Sequence, residues 1–102
     1  MTAAVLHILL SLAAEDRHGL GIAADVKAFT GGRLVLGPGT LYGTIKRLLD
    51  AGLVEDLGAP SADTDPRRRY YRITAKGRRA LEHETQGLAA VLGVARRRLK
   101  TS

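Results

Sequence analysis

The chain contains no cysteine and no tryptophan, and its aromatic side chains number four: Phe29, Tyr42, Tyr70 and Tyr71. Without cysteine there are neither disulfides nor thiolate metal ligands, so a domain of 102 residues must hold together by apolar burial, for which a partner subunit is a natural supplement. Four scattered aromatics make a poor stacking platform for single-stranded nucleic acid. The serines are Ser11, Ser61 and Ser102, none in a nucleophile-elbow or phosphate-loop setting, and His7, His18 and His83 are not spaced as metal ligands. Neither a catalytic constellation nor a cofactor or metal site can be assembled, and the expectation is a non-enzyme without cofactor. No apolar run approaches the roughly 20 residues that span a bilayer. The apolar stretch from Ala3 to Ala14 has no basic segment before it and is interrupted by His7 and Ser11, so it does not read as a secretion signal, and a cytoplasmic protein is expected.

What is present is positive charge, unevenly placed. The formal charge is +6, but residues 1–66 carry 5 basic and 8 acidic groups, a net −3, whereas residues 67–102 carry 11 and 2, a net +9. Such an excess suits a nucleic-acid partner without proving one.

Apolar spacing then divides the chain. Leu6, Leu9, Leu10 and Ala13 line one face of a first helix, with Val5, Ile8 and Leu12 beside them. So wide an arc predicts burial on two sides, one in the domain's own core and one against a second copy, to which Val5, Ile8 and Leu12 are assigned. Glu15 to Gly19 reads as a loop. Ile22, Val26 and Phe29 mark a short second helix stopped by Gly31-Gly32, and Arg33-Leu34-Val35-Leu36 reads as a short strand. Gly37-Pro38-Gly39 opens a third helix that runs to about Ala51, with Leu41, Ile45, Leu48 and Leu49 on its inner face. Its other face carries Thr40, Gly43, Thr44 and Arg47, with Tyr42 and Lys46 along the flank.

Residues 53–57 and 68–74 read as a β-hairpin with a polar tip, in which Tyr71 and Ile73 point inward and Tyr70 and Arg72 outward. Thr74 is placed to cap a last helix running to about Leu99. In that helix Leu81, Leu88 and Ala95 repeat every seven residues, and Thr85, Leu92 and Leu99 do so alongside, the spacing expected where another helix packs. Gly77, Gly87 and Gly93 would each cost about 1 kcal/mol relative to alanine in an exposed helix interior.

The expected fold is therefore mainly α with a small β-hairpin. It is a winged helix-turn-helix over residues 1–75 followed, over 76–102, by a dimerisation helix and basic tail. The third helix offers small residues for close approach, hydroxyls for bases or phosphates, and two adjacent cations, Lys46 and Arg47, with no glutamate. Arg67, Arg68 and Arg69, with Arg72 beyond, put phosphate-neutralising groups on the wing. Arg96, Arg97, Arg98 and Lys100 stand near a helix C-terminus, where the macrodipole favours cations whether or not they bind anything.

Four stretches resemble the PadR family of bacterial transcriptional regulators. They are His18-Gly19-Leu20-Gly21-Ile22, Gly37-Pro38-Gly39-Thr40-Leu41-Tyr42, Lys46-Arg47-Leu48-Leu49-Asp50-Ala51-Gly52-Leu53-Val54 and Arg69-Tyr70-Tyr71-Arg72-Ile73-Thr74-Ala75-Lys76-Gly77. A single C-terminal helix is similar to the family's short subfamily. The resemblance implies a homodimeric repressor that binds a palindromic operator in double-stranded DNA and is released by a small effector. It places Thr40, Tyr42 and Lys46 at recognition positions, the arginines before Tyr70 on the wing, and His18 and Gly19 near phosphates. It also implies that the last helix of one subunit packs on the first helix of the other. Leu20 stands where the family usually has tyrosine, which removes one phosphate contact. The competing reading is a winged-helix module that binds protein and uses its basic face for solubility.

Overall fold

A computed structural model describes residues 1–59 and 68–100. Thr2 caps α1 (Ala3–Ala14) by accepting the Val5 N–H. β1 (Arg17–His18) leads directly into α2 (Gly19–Phe29), and His18 caps that helix, its Nδ1 accepting the Gly21 N–H at 2.9 Å. Gly31 and Gly32 follow with φ of 61° and 80°, left-handed values that end α2. α3 (Pro38–Asp50) begins on Gly37 with proline in its first turn. It ends on Gly52 at φ 74°, where the Leu53 N–H reaches back to the Leu48 carbonyl in a Schellman arrangement. β2 (Val54–Gly58), β3 (Tyr70–Ile73) and α4 (Ala75–Lys100) complete the chain.

The three strands form one antiparallel sheet in the order β1-β3-β2, with Arg17 opposite Tyr71, His18 opposite Tyr70, and Val54 opposite Ile73. The register slips between Asp56 and Gly58, a bulge in the wing. The third strand is thus not where the sequence suggests. Residues 33–36 are irregular: the Leu34 N–H donates to the Thr30 hydroxyl, Leu36 plugs the core and Val35 is exposed, and no strand among the described residues pairs with them. Residues 17–18, expected in a loop, supply the strand instead.

The core collects Ile8, Leu9 and Leu12 of α1, Ile22 and Val26 of α2, Leu41, Ile45 and Leu48 of α3, and Val54, Tyr71, Ile73 and Leu81 around them. This corrects the assignment of Ile8, Leu12 and Leu81 to a dimer contact. All three are spent on the protomer's own core, because α1 is surrounded by α2, α3, β3 and the first turns of α4. Arg17 ties the chain together beside α1, donating to the Ser11 carbonyl and pairing with Glu15 at 3.0 Å and Asp25 at 3.6 Å.

The start of α4 is bolted to the end of α3. Thr74 Oγ1 donates to the Gly52 carbonyl at 2.7 Å and accepts the Gly77 N–H at 3.0 Å, capping α4 as its sequence position suggests. Lys76 Nζ donates to the Ala51 carbonyl at 2.9 Å, and the Thr74 N–H to the Leu53 carbonyl. Gly77 is buried against the Leu53 carbonyl, which leaves no room for a Cβ.

Candidate nucleic-acid interface

The outward face of α3 is built by what its inward face buries. Leu41, Thr44, Ile45 and Leu48 are buried, which turns Gly39, Thr40, Gly43, Lys46 and Arg47 to solvent. A Cβ added at Gly37, Gly39 or Gly43 would meet nothing within 4 Å, so these glycines serve no internal packing and leave the backbone open to close approach. No side chain caps the helix, and Gly39 and Thr40 have their N–H groups in the first turn, outside the intrahelical ladder. That end is suited to anions. Lys46 and Arg47 make no ion pair with any described residue, and Asp50 lies at the opposite end of the same face.

Two of the expected contact residues are not on this face. Thr44 is fully buried, with its hydroxyl unpartnered. On the helical wheel it lies only about 40° from Leu48, inside the packed arc, so it cannot reach a base as the sequence suggests. Replacing it by valine keeps the shape and removes an orphaned hydroxyl, so Thr44→Val should leave DNA affinity unchanged and raise stability by up to about 1 kcal/mol. Equilibrium denaturation and a binding titration check both halves. Tyr42 is half-buried, and its hydroxyl is enclosed with no hydrogen-bond partner among the described residues, so it does not lie on the exposed face with Thr40, Gly43, Lys46 and Arg47.

His18 stands at the junction of α2 and the wing. With Nδ1 occupied by the Gly21 N–H, the neutral ring carries its proton on Nε2, and Tyr70 packs edge-on at 5.4 Å. Leu20, beside it, is exposed.

On the wing, Arg67 lies outside the described residues. Arg68 and Arg69 are exposed and precede β3 rather than lying in it. Arg69 donates to Asp56 at 2.8 Å. Burial alone would push the Asp56 carboxyl up, but the Arg69 hydrogen bond and charge and the Gly58 N–H bring it below the usual carboxylate range. Arg72 binds Asp16 at 2.8 Å and faces Glu55 at 3.8 Å, and its hydrogen bond lowers the Asp16 carboxyl in the same way.

The remaining assigned residues lie on α4 and α1. Leu88, Leu92 and Leu99 are exposed along α4, Ala95 is half-buried, and Val5 is half-buried on α1. Residues 87–95 contain no polar or charged side chain, and Val91 and Val94, not singled out by the seven-residue spacing, are exposed there as well. An apolar helix face of this kind is normally covered. Among the described residues no group of three His, Asp or Glu side chains could hold a metal, and no helix is long and apolar enough to cross a membrane.

A glycine-opened helix seated on two others and flanked by a three-stranded wing defines a winged helix-turn-helix protein. The chain matches the Transcriptional regulator PadR-like family over residues 5–83 and belongs to it. A PadR family transcription regulator from Clostridium difficile has the same fold, with a TM-score of 0.79 at 24% identity, the match covering 96% of this chain and 99% of that one. RosR of H. salinarum matches at 28% identity and a TM-score of 0.71, over 88% of this chain and 76% of that one. Bacillus subtilis PadR, whose structure is a complex with operator DNA, matches at 21% identity and a TM-score of 0.71, over 83% of this chain and 48% of its own. A 37.1 kDa protein in transposon TN4556 of Streptomyces fradiae is 36% identical over 86 residues, which is 84% of this chain. The chain spans 23% of the length of that relative.

Proposed function

We propose that this chain is a cytoplasmic, homodimeric, sequence-specific DNA-binding repressor of transcription, released by a small effector. The observation that carries the reading is the outward face of α3, where two cations that pair with no acidic group among the described residues follow a backbone opened by Gly39 and Gly43. Each α3 reads one half of a palindromic operator, with half-sites about one helical turn, roughly 34 Å, apart. Thr40 and Arg47 discriminate bases. Lys46 and the first turn of α3 grip phosphate, joined by His18 Nε2 and the wing arginines Arg67, Arg68 and Arg69. α4 supplies the dimer contact through Leu88, Leu92, Ala95 and Leu99, with Val5 of the partner's first helix against it. A cavity of about 440 Å³ between α1 and α2, lined by Ala3, His7, Phe29, Thr30, Arg33 and Leu34, borders the segment that enters α3 and would let an effector bear on it.

A gel shift against the duplex upstream of the protein's own gene tests this reading. Retardation that survives excess scrambled duplex supports it. A folded dimer that retards nothing at low salt instead supports the protein-interaction module. The wing has its own measurement: Arg68→Ala combined with Arg69→Ala should flatten the slope of log K against log salt by up to about two units, at roughly 0.9 per lost phosphate contact. An unchanged slope removes the wing from the interface.

A further inference from the structure

Tyr42 reaches from the flank of α3 to the first residue of α2. A Cβ built on Gly19 would fall 2.7 Å from the ring's Cε1 and Oη and 2.9 Å from Cζ, closer than real Cβ atoms come to other atoms. Only glycine lets α2 begin where the ring lies. Gly19 is itself buried, and the phenol hydroxyl at the end of the ring is enclosed with no hydrogen-bond partner among the described residues. A hydroxyl used to bind phosphate would need an open path to it. This one is shut in against the neighbouring helix, which is the placement of a side chain used for its shape.

The end of α2 that receives the ring is a fixed point. His18 caps it at 2.9 Å, Tyr70 of β3 packs on His18 at 5.4 Å, and His18 lies in register with Tyr70 across the sheet. A ring resting there refers the orientation of α3 to both α2 and the wing. We propose that Tyr42 is a positioning residue for DNA reading: its ring, seated on Gly19, sets how α3 is held against α2, and its hydroxyl makes no contact with DNA. The inference rests on the DNA-binding reading above. It assigns to Tyr42 and Gly19 a joint role in specificity, by holding Thr40 and Arg47 in the presentation that distinguishes one base sequence from another.

Four variants test it: Tyr42→Phe, Tyr42→Leu, Gly19→Ala, and Gly19→Ala with Tyr42→Leu. Each is titrated against the upstream duplex that the wild type retards and against a scrambled duplex, with thermal unfolding followed in parallel. Tyr42→Phe should bind both duplexes within about twofold of wild type and melt no lower, because it loses only an unpartnered hydroxyl. Tyr42→Leu and Gly19→Ala should each reduce the ratio of specific to scrambled affinity about tenfold while leaving scrambled binding intact, and the double variant should recover most of that ratio. Recovery is the signature of two groups competing for one space, and general destabilisation would not produce it. If Gly19→Ala fails to fold, the contrast between Tyr42→Phe and Tyr42→Leu still decides. A Tyr42→Phe variant that loses as much specific affinity as Tyr42→Leu makes the hydroxyl a DNA ligand and overturns the proposal, as does a double variant no better than Gly19→Ala. A folded wild-type dimer that retards neither duplex overturns the DNA-binding reading, and this inference with it.

Discussion

Gly77→Ala is expected to destabilise the protein by about 3 kcal/mol or more, whereas Gly87→Ala, ten residues along the same helix, is expected to stabilise it by up to about 1 kcal/mol. The difference lies in what a methyl group would meet. At Gly77 it would run into the Leu53 carbonyl carbon at 3.0 Å and its oxygen closer still, with Ile73 Cγ1 at 2.9 Å. A backbone carbonyl cannot rotate aside as a side-chain tip can. To admit the methyl, α4 must lift off the turn at Leu53 that joins α3 to β2, and the Thr74 to Gly52 and Lys76 to Ala51 hydrogen bonds would be stretched with it. At Gly87 the added Cβ meets nothing within 4 Å, so alanine changes only helix propensity. Urea denaturation of the two variants beside the wild type decides the matter, and equal effects in the two would show that α4 is not seated on the Leu53 carbonyl. Thr74→Val should produce a smaller loss in the same direction, since it removes two hydrogen bonds while leaving the packing in place.

Leu88→Asp and Leu92→Asp should each convert a dimer into a folded monomer, halving the mass in sedimentation and lowering affinity for a two-half-site duplex by roughly a hundredfold or more. The expectation depends on where these leucines lie within one protomer. Both remain about half exposed, at 45% and 49%, so a carboxylate there stays in water when the protomer is alone and becomes a buried unpaired charge only when a second copy covers it. Leu81, one seven-residue repeat before Leu88, is the control: it is 6% exposed, and Leu81→Asp should unfold the chain. Unchanged mass for both surface variants would refute α4 as the dimer contact, and unfolding of both would show that these turns support the protomer itself.

The helices were legible because each carries its own evidence. Leu41, Ile45 and Leu48 repeat at helical spacing, Gly31-Gly32 and Gly52 provide the left-handed stops, and Thr74 precedes α4 as a cap must. The strands were legible only where both partners lie near each other in sequence. β1 consists of two residues whose assignment depends on β3, more than fifty positions away, and nothing in Arg17-His18 itself distinguishes it from a loop. Conversely, residues 33–36 have the composition of a strand, and no strand among the described residues pairs with them.

The candidate interface divides along similar lines. The exposure of Thr40, Gly43, Lys46 and Arg47 follows from the wheel of α3. The burial of Thr44 depends on how wide an arc its neighbours cover, and the use of Tyr42 depends on a glycine in another helix. In the sequence Gly77 is a weakness in a helix interior; in the fold it is a seat, a role visible only once the Leu53 carbonyl is in place.

The paired wing arginines bear on what the basic end of the chain has to offer. Arg69 and Arg72 each hold a carboxylate at 2.8 Å, so an approaching phosphate would exchange with a ligand already in place. The exchange returns little net attraction, and it leaves Asp56 or Asp16 stranded beside a polyanion. Wrongly placed phosphates would meet a closed ion pair and, behind it, negative charge. If the wing meets DNA as proposed, Arg69 would add affinity only where the duplex backbone arrives at an angle that makes the exchange with Asp56 favourable, and polyanions in general would gain little from it.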